Sequence, residues 1–390
     1  MKLIREIWAL DATIEKIAEQ VQTLEIKRNA FANILRSTRL ELDLCAEIPL
    51  AQRYLIDGQL ARQVKPTKLS GLSVCGVDGG LLKKSLRGIE LVITRANATI
   101  FQYSSSGRVS AEYFPERKTP PIVKAELDPI SWREAEINAS LERLKAELQL
   151  AIRIQDHFTF ELLLLDGSLI PHISDRPVAQ SNLSTKYQEI RSLFTELYQK
   201  TEETGTLLAG VVKDSRSNRF IRVLGDLLPH LVRRQPRLAP ILEMDYRTLL
   251  KNSYDTDFFF RVLDVGERSC IFRLEDLIID NNSELVEEEK MKTENIVCFY
   301  LRTAKYDHPL RIEVFTGSYD QVSIAKKVSS MLLPMSSDNE EFALPAVLID
   351  ADSQARLIER DLDFFFNQLI QRIGFPQSLL KLRRDRMPFH

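Results

Sequence analysis

Phe160-Glu161-Leu162-Leu163-Leu164-Leu165-Asp166-Gly167-Ser168 reads as a strand buried on both faces that ends in a carboxylate. Four consecutive leucines leave no polar face, so the simplest place for the strand is the centre of a parallel sheet. A carboxylate at the end of such a strand points into the crevice where open α/β sheets hold ligands, and the glycine after it lets the chain turn.

Upstream, Leu72–Val77 is a second short apolar strand that runs into Asp78-Gly79-Gly80. Residues 88–100 and 102–114 alternate in polarity around the turn Ser104–Gly107 and form an antiparallel meander with it. A proline-rich connection over 115–129 leads to a helix from about Trp132 to Ile154, with Ser131 as N-cap and Glu134 completing a capping box. After Asp166 come a helix near 184–203 and another buried strand, Leu207–Val212, ending at Lys213-Asp214-Ser215. The order is three strands, a helix, a strand, a helix and a strand. Downstream, Phe258–Leu263 and Ser269–Phe272 read as short strands and 284–290 as an acidic loop. Residues 296–306 and 310–315 read as a hairpin, followed by helices near 318–331 and from Asp352 to Ile373.

In the first 65 residues, Ile7, Leu10, Ile14, Ile17, Val21 and Leu24 recur by three and four, and Phe31 and Leu35 extend the seam past Arg28. This is a long helix that packs either on its own chain or on a twin. The expected organisation is therefore an N-terminal helical segment (1–65) and a main domain (66–373). The main domain has its core over about 72–225 and C-terminal α+β additions, and a basic tail follows at 374–390.

The 390 residues contain 53 Lys+Arg against 55 Asp+Glu, a net charge of −2, which excludes a generally basic nucleic-acid coat and leaves room only for a local basic groove. With 44% apolar and 28% charged residues the chain is globular rather than disordered. Cys45, Cys75, Cys270 and Cys298 share no zinc-ligand spacing, and the five histidines form none either. The start of the chain lacks an apolar signal-peptide region, and no stretch is long enough for a membrane span. A cytoplasmic location is expected.

Two carboxylates on neighbouring strands, Asp78 and Asp166, would repel unless they shared a proton or a cation. Their hard oxygen donors suit Mg²⁺ or Mn²⁺. A pair of such ions can clamp both oxygens of an in-line phosphodiester displacement. Either Asp-Gly alone would read as an ordinary turn. Together, in this strand order, they give the layout of the RNase H-like nucleases, an α/β mixed-sheet core flanked by helices. That fold also hosts ATPases, so the fold alone does not assign a function.

With these motifs in place, VCGVDGG (74–80), ELLLLDGSLI (161–170), LLAGVVKDSRS (207–217) and LPAVLIDADSQARLI (344–358) together resemble the NurA nucleases, in the same order and over most of the chain. The resemblance implies a metal-dependent DNA nuclease acting on linear ends and single strands in DNA end resection and repair. It also implies a homodimer and a hexameric ATPase partner of the HerA type. Asp78 and Asp166 would be metal ligands, joined by a glutamate of the 132–154 helix. Glu134, Glu136, Glu142 and Glu147 are the choices, and Glu136, in Arg133-Glu134-Ala135-Glu136-Ile137, is closest to the family pattern. Lys213 would serve catalysis, and Arg216 and Arg219 would hold DNA phosphates as forks. The family often has a histidine where this chain reads Asp350-Ala351-Asp352. Asp352 is then either a metal ligand or the N-cap of the last helix. Arg233, Arg234 and Arg237 either face solvent or border a DNA channel. No Walker A loop occurs, so ATP hydrolysis is not expected. Two other readings share this core: a non-catalytic DNA-end clamp or adaptor for an ATPase, and an ATPase built on the RNase H-like fold.

Overall fold

The computed structural model describes residues 2–127, 131–178, 180–274, 294–337, 339–374, 376 and 379. The acidic loop expected at 284–290 and most of the basic tail, with Lys381, Arg383, Arg384 and Arg386, lie outside them.

The strands are β1 (Leu55–Gln63), β2 (Ser73–Ser85), β3 (Glu90–Tyr103), β4 (Val109–Phe114), β5 (Ile122–Glu126), β6 (Leu162–Asp166), β7 (Leu207–Val212), β8 (Glu267–Arg273), β9 (Ile296–Leu301) and β10 (Leu310–Phe315). They join one mixed sheet in the order β1-β8-β9-β10-β7-β6-β2-β3-β4, with β5 also on β3. The helices are α1 (Lys2–Arg36), α2 (Leu44–Glu47), α3 (Trp132–Ile154), α4 (Ser184–Thr204), α5 (Arg219–Arg234), α6 (Pro240–Glu243), α7 (Tyr246–Lys251), α8 (Asp255–Val262), α9 (Gln321–Ser336), α10 (Ala346–Ala355) and α11 (Glu359–Ile373).

The expected core is present. β2, β3 and β4 run antiparallel, α3 crosses over, and β6 and β7 lie parallel to β2. This is the RNase H-like arrangement. Leu163 and Leu165 face one apolar layer and Leu162 and Leu164 the other, which is why the leucine run has no polar face.

Five local expectations need correction. β2 does not stop at Val77 but runs through Asp78-Gly79-Gly80 to Ser85, paired with β3 throughout. Residues 258–263 are largely helix, in α8, where Asp255, Phe258, Phe259 and Val262 recur at helical spacing on the buried face. The connection 115–129 contains β5. The last helix is two, broken at residues 356–358, so Asp352 sits in the final turn of α10 and caps nothing. The N-terminal 65 residues are not helical throughout, since β1 is an edge strand on β8.

α1 divides along its length. Phe31 and Leu35 are buried, and Arg28 donates to the Asn252 carbonyl at 2.7 Å. Ile14, Ile17 and Val21 are more than half exposed. Of Ile7 and Leu10 only the backbone is described. The four cysteines are free thiols, and no helix among the described residues is long and apolar enough to cross a membrane.

Candidate active site

Strand register brings the two aspartates together. β2 and β6 pair in parallel from Val74↔Leu162 to Val77↔Leu165, so Asp78 and Asp166 follow as the next residues of adjacent strands. Val74, Leu162 and Leu164 face the layer that holds α10, and side-chain alternation turns Asp78 and Asp166 the same way.

The glycines around Asp78 serve helix packing rather than a turn. A Cβ on Gly76 would stand 3.0 Å from the Val347 carbonyl oxygen, and one on Gly80 would stand 2.2 Å from that of Ala355. Thus α10 lies directly on β2 to either side of Asp78. Ala351, midway between those contacts, is fully buried. On the opposite face a Cβ on Gly79 would meet Glu147 Oε1 at 2.3 Å, so the bare backbone at 79 lets α3 deliver that carboxylate to the strand.

The four glutamates of α3 separate clearly. The Ser131 cap fixes where the helix begins, and both halves of the capping box form. Glu134 completes that box and accepts from Ser181 Oγ at 2.9 Å. Glu142 is ion-paired with Lys124 and with Lys186, the latter at 2.5 Å. Glu136 is half exposed and paired with Lys83. Glu147 is buried, and its Oε1 accepts no hydrogen bond; Arg143 Nε stands 3.5 Å away as an ion pair. Glu136 and Glu147 share a helix face three turns and about 16 Å apart. Lys83 lies five residues along β2 from Asp78, about 17 Å. Glu136 therefore belongs to the far end of the strand, and the glutamate beside the aspartates is Glu147.

The electrostatics are those of an acidic cluster kept from water. Burial, then the charges of Asp166 and Glu147, push Asp78 up to about 9. Burial pushes Glu147 up to about 7, with Arg143 opposing and Asp166 adding to the rise. Lys213, just beyond β7, places Nζ 2.5 Å from Asp166 Oδ2. Burial works against its ammonium, but Asp166, Asp78 and Asp352 outweigh burial and hold it above its ordinary value. Asp352 is exposed and acts on the pocket through this field; Asp350 accepts from Thr99 Oγ1 at 3.1 Å.

Arg216 is exposed beyond Lys213. Arg219 is 8% exposed and its charge is felt by Cys298 inside the molecule, so it is not placed as a solvent-facing phosphate fork. It sits at the first position of α5, whose apolar stripe turns it inward.

Among the described residues no three His, Cys, Asp or Glu side chains converge as a finished metal shell. The donor set nevertheless suits a hard divalent cation. Three carboxylates share one buried region, one has an oxygen that accepts no hydrogen bond, and a cation would offset the burial and the repulsion that raise Asp78.

A family model described as NurA domain matches residues 72–357. The chain belongs to the NurA family. Among solved structures it is similar to the NurA nuclease from Sulfolobus solfataricus, with a TM-score of 0.50 and 15% identity over 96% of this chain and 99% of that one. A NurA structure with manganese gives a TM-score of 0.43 at 12% identity, over 93% of this chain and 98% of that one. An endonuclease V from Bacillus subtilis gives 0.30 at 14%, over 83% and 92%. At these identities the likeness is one of fold. No curated protein matches at a significant level. The NurA match begins one residue before β2 and ends two residues after α10, so it contains Asp78, Glu147, Asp166, Lys213 and Asp352.

Proposed function

We propose that this NurA-family chain is a divalent-metal-dependent deoxyribonuclease that degrades DNA from linear ends and acts on single strands. The observation that carries the reading is the meeting of Asp78 and Asp166 in register beside a buried Glu147 with an oxygen that accepts no hydrogen bond. A purely structural carboxylate would have its hydrogen bonds satisfied. A manganese-bound structure among its fold relatives is consistent with that.

Mn²⁺ or Mg²⁺, most simply a pair of ions held by Asp78, Asp166 and Glu147, would supply Lewis-acid charge to the phosphodiester. Asp78 keeps a proton in the absence of cations and so limits repulsion inside the cluster. Lys213 orients Asp166 and sets a positive charge where the phosphoryl oxygens gain negative charge. Asp352, exposed at the rim, tunes Lys213 through its charge. Arg216 offers a guanidinium to the DNA backbone. The test is linear duplex and single-stranded DNA incubated with the protein and Mn²⁺ or Mg²⁺. Degradation that EDTA abolishes supports the reading, and intact DNA in every arm refutes it.

The same reading extends to assembly in end resection and repair. The exposed Ile14, Ile17 and Val21 stripe is proposed to seat against its copy in a homodimer with two-fold symmetry. A net charge of −2 gives weak overall attraction to duplex DNA, and the chain has no Walker A loop. Translocation along long ends is therefore assigned to a HerA-like hexameric ATPase. Mixing the proteins with long linear duplex should give faster degradation with hydrolysable ATP than without it; equal degradation in both arms counts against the partnership.

A further inference from the structure

We infer that Glu313 is a positioning residue for Asp166, fastening from β10 the loop that follows this carboxylate. The consequence for metal binding rests on the nuclease reading above; the tether itself is geometric.

Glu313, Gly210 and Leu165 form a row across β10, β7 and β6, with Glu313 directly opposite Gly210 and Leu165 opposite Gly210 on its other side. After Asp166 the chain folds back over that row. The Gly167 carbonyl oxygen would stand only 2.4 Å from a Cβ on residue 210, so the loop occupies the space that the missing side chain leaves. Across this gap the fully buried Glu313 reaches the loop. Its Oε2 accepts from Ser168 Oγ at 2.7 Å and from the Leu169 amide at 2.9 Å. Its Oε1 accepts from Arg311 Nη2 at 2.5 Å, which supplies the counter-charge.

The other side of the loop is held as well. The buried Tyr198 hydroxyl donates to the Leu169 carbonyl, and the Tyr198 ring stacks on Phe315 of β10 with centroids 4.7 Å apart. One strand thus fixes both the amide and, through Tyr198, the carbonyl of Leu169, three residues from Asp166. Elsewhere in the site Asp166 is held by Lys213, whose long side chain can swing. The loop tether is the rigid constraint. Residues that orient a metal-binding side chain from behind affect metal affinity by about 10- to 100-fold when removed.

The experiment uses the full chain as wild type, Ser168→Ala, Gly210→Ala and Glu313→Gln, with Thr303→Val as a control. Thr303 makes a comparable buried hydroxyl contact, to the Ala343 carbonyl at 2.9 Å, outside this loop. Glu313→Gln leaves Arg311 without its charge partner and can fail to fold. Ser168→Ala and Gly210→Ala keep that pair and disturb the loop independently. Two readouts are taken: amide hydrogen exchange of the 166–170 segment, and Mn²⁺ affinity from the EPR signal of free Mn²⁺. The folded loop variants should exchange faster in this segment and bind Mn²⁺ about tenfold or more weakly, while Thr303→Val matches wild type in both. Wild-type Mn²⁺ affinity in Ser168→Ala and Gly210→Ala overturns the proposal, whether or not exchange changes. If wild type itself binds no Mn²⁺, the nuclease reading fails instead, and the exchange readout still decides whether the tether holds the loop.

Discussion

Gly79 and Glu147 occupy one another's space: a Cβ on residue 79 would stand 2.3 Å from Glu147 Oε1 and 2.7 Å from its Cγ. The absence of a side chain at one position is therefore what lets the carboxylate of the other reach the strand next to Asp78, whose pKa it raises through its field. A Gly79→Ala substitution should displace Glu147 while β2 keeps its ladder, since alanine is an ordinary strand residue. The expected result is a wild-type circular dichroism spectrum with nuclease activity reduced about 10- to 100-fold, as for other changes that misplace a ligand from behind. Unchanged activity would mean that Glu147 has no part in the chemistry.

The acidic cluster also makes a signed prediction for stability. Asp78 is raised from 3.8 to about 9 and Glu147 from 4.5 to about 7, so the folded state binds more protons than the unfolded state. Their contribution is fully present below about pH 4 and is lost as pH rises through those folded values. In EDTA, the melting temperature of wild type should fall relative to Asp78→Asn between about pH 5 and about pH 9, because the variant lacks the group with the largest shift. Added Mn²⁺ should raise the wild-type melting temperature and leave Asp78→Asn nearly unmoved. A parallel pH dependence of the two proteins would contradict the buried, mutually repelling cluster.

The exposed half of α1 is tested by its oligomeric state. Ile17→Glu with Val21→Glu places charges on positions that are 53% exposed each, so folding of one chain should be unaffected. Light scattering at micromolar concentration should report twice the chain mass for wild type and one chain mass for the double variant. A wild-type monomer refutes the homodimer, and a dimer that survives the substitutions moves the interface elsewhere.

Much of this site was legible in the sequence because it lies on strands. Leu162–Leu165 has no polar face, so its burial and the outlet of its carboxylate follow from composition alone. The second aspartate is legible for a different reason than the one its sequence suggests. Asp78-Gly79-Gly80 reads as a strand end, whereas the strand runs on and the glycines admit α3 and α10. A close approach by a distant helix leaves the same residues in the sequence as a turn does. For a related reason, which helix glutamate stands beside Asp78 is not legible. Glu136 and Glu147 share a helix face, and only the antiparallel run of α3 along β2 decides which turn meets Asp78. Glu313 carried no sequence signal, since its role depends on its being opposite Gly210 across two strands distant in the chain.

The most direct measurement of the central claim pairs two conservative substitutions on one helix face. Glu147→Gln and Glu136→Gln each remove one charge from α3, at positions three turns apart. Both are assayed on linear DNA with Mn²⁺, beside Asp78→Asn and Asp166→Asn. Glu147→Gln should lose cleavage as completely as the two aspartate variants, and Glu136→Gln, which breaks only the surface pair with Lys83, should cleave like wild type. Wild-type cleavage by Glu147→Gln, or its loss in Glu136→Gln with Glu147→Gln active, would contradict the site formed by Asp78, Glu147 and Asp166.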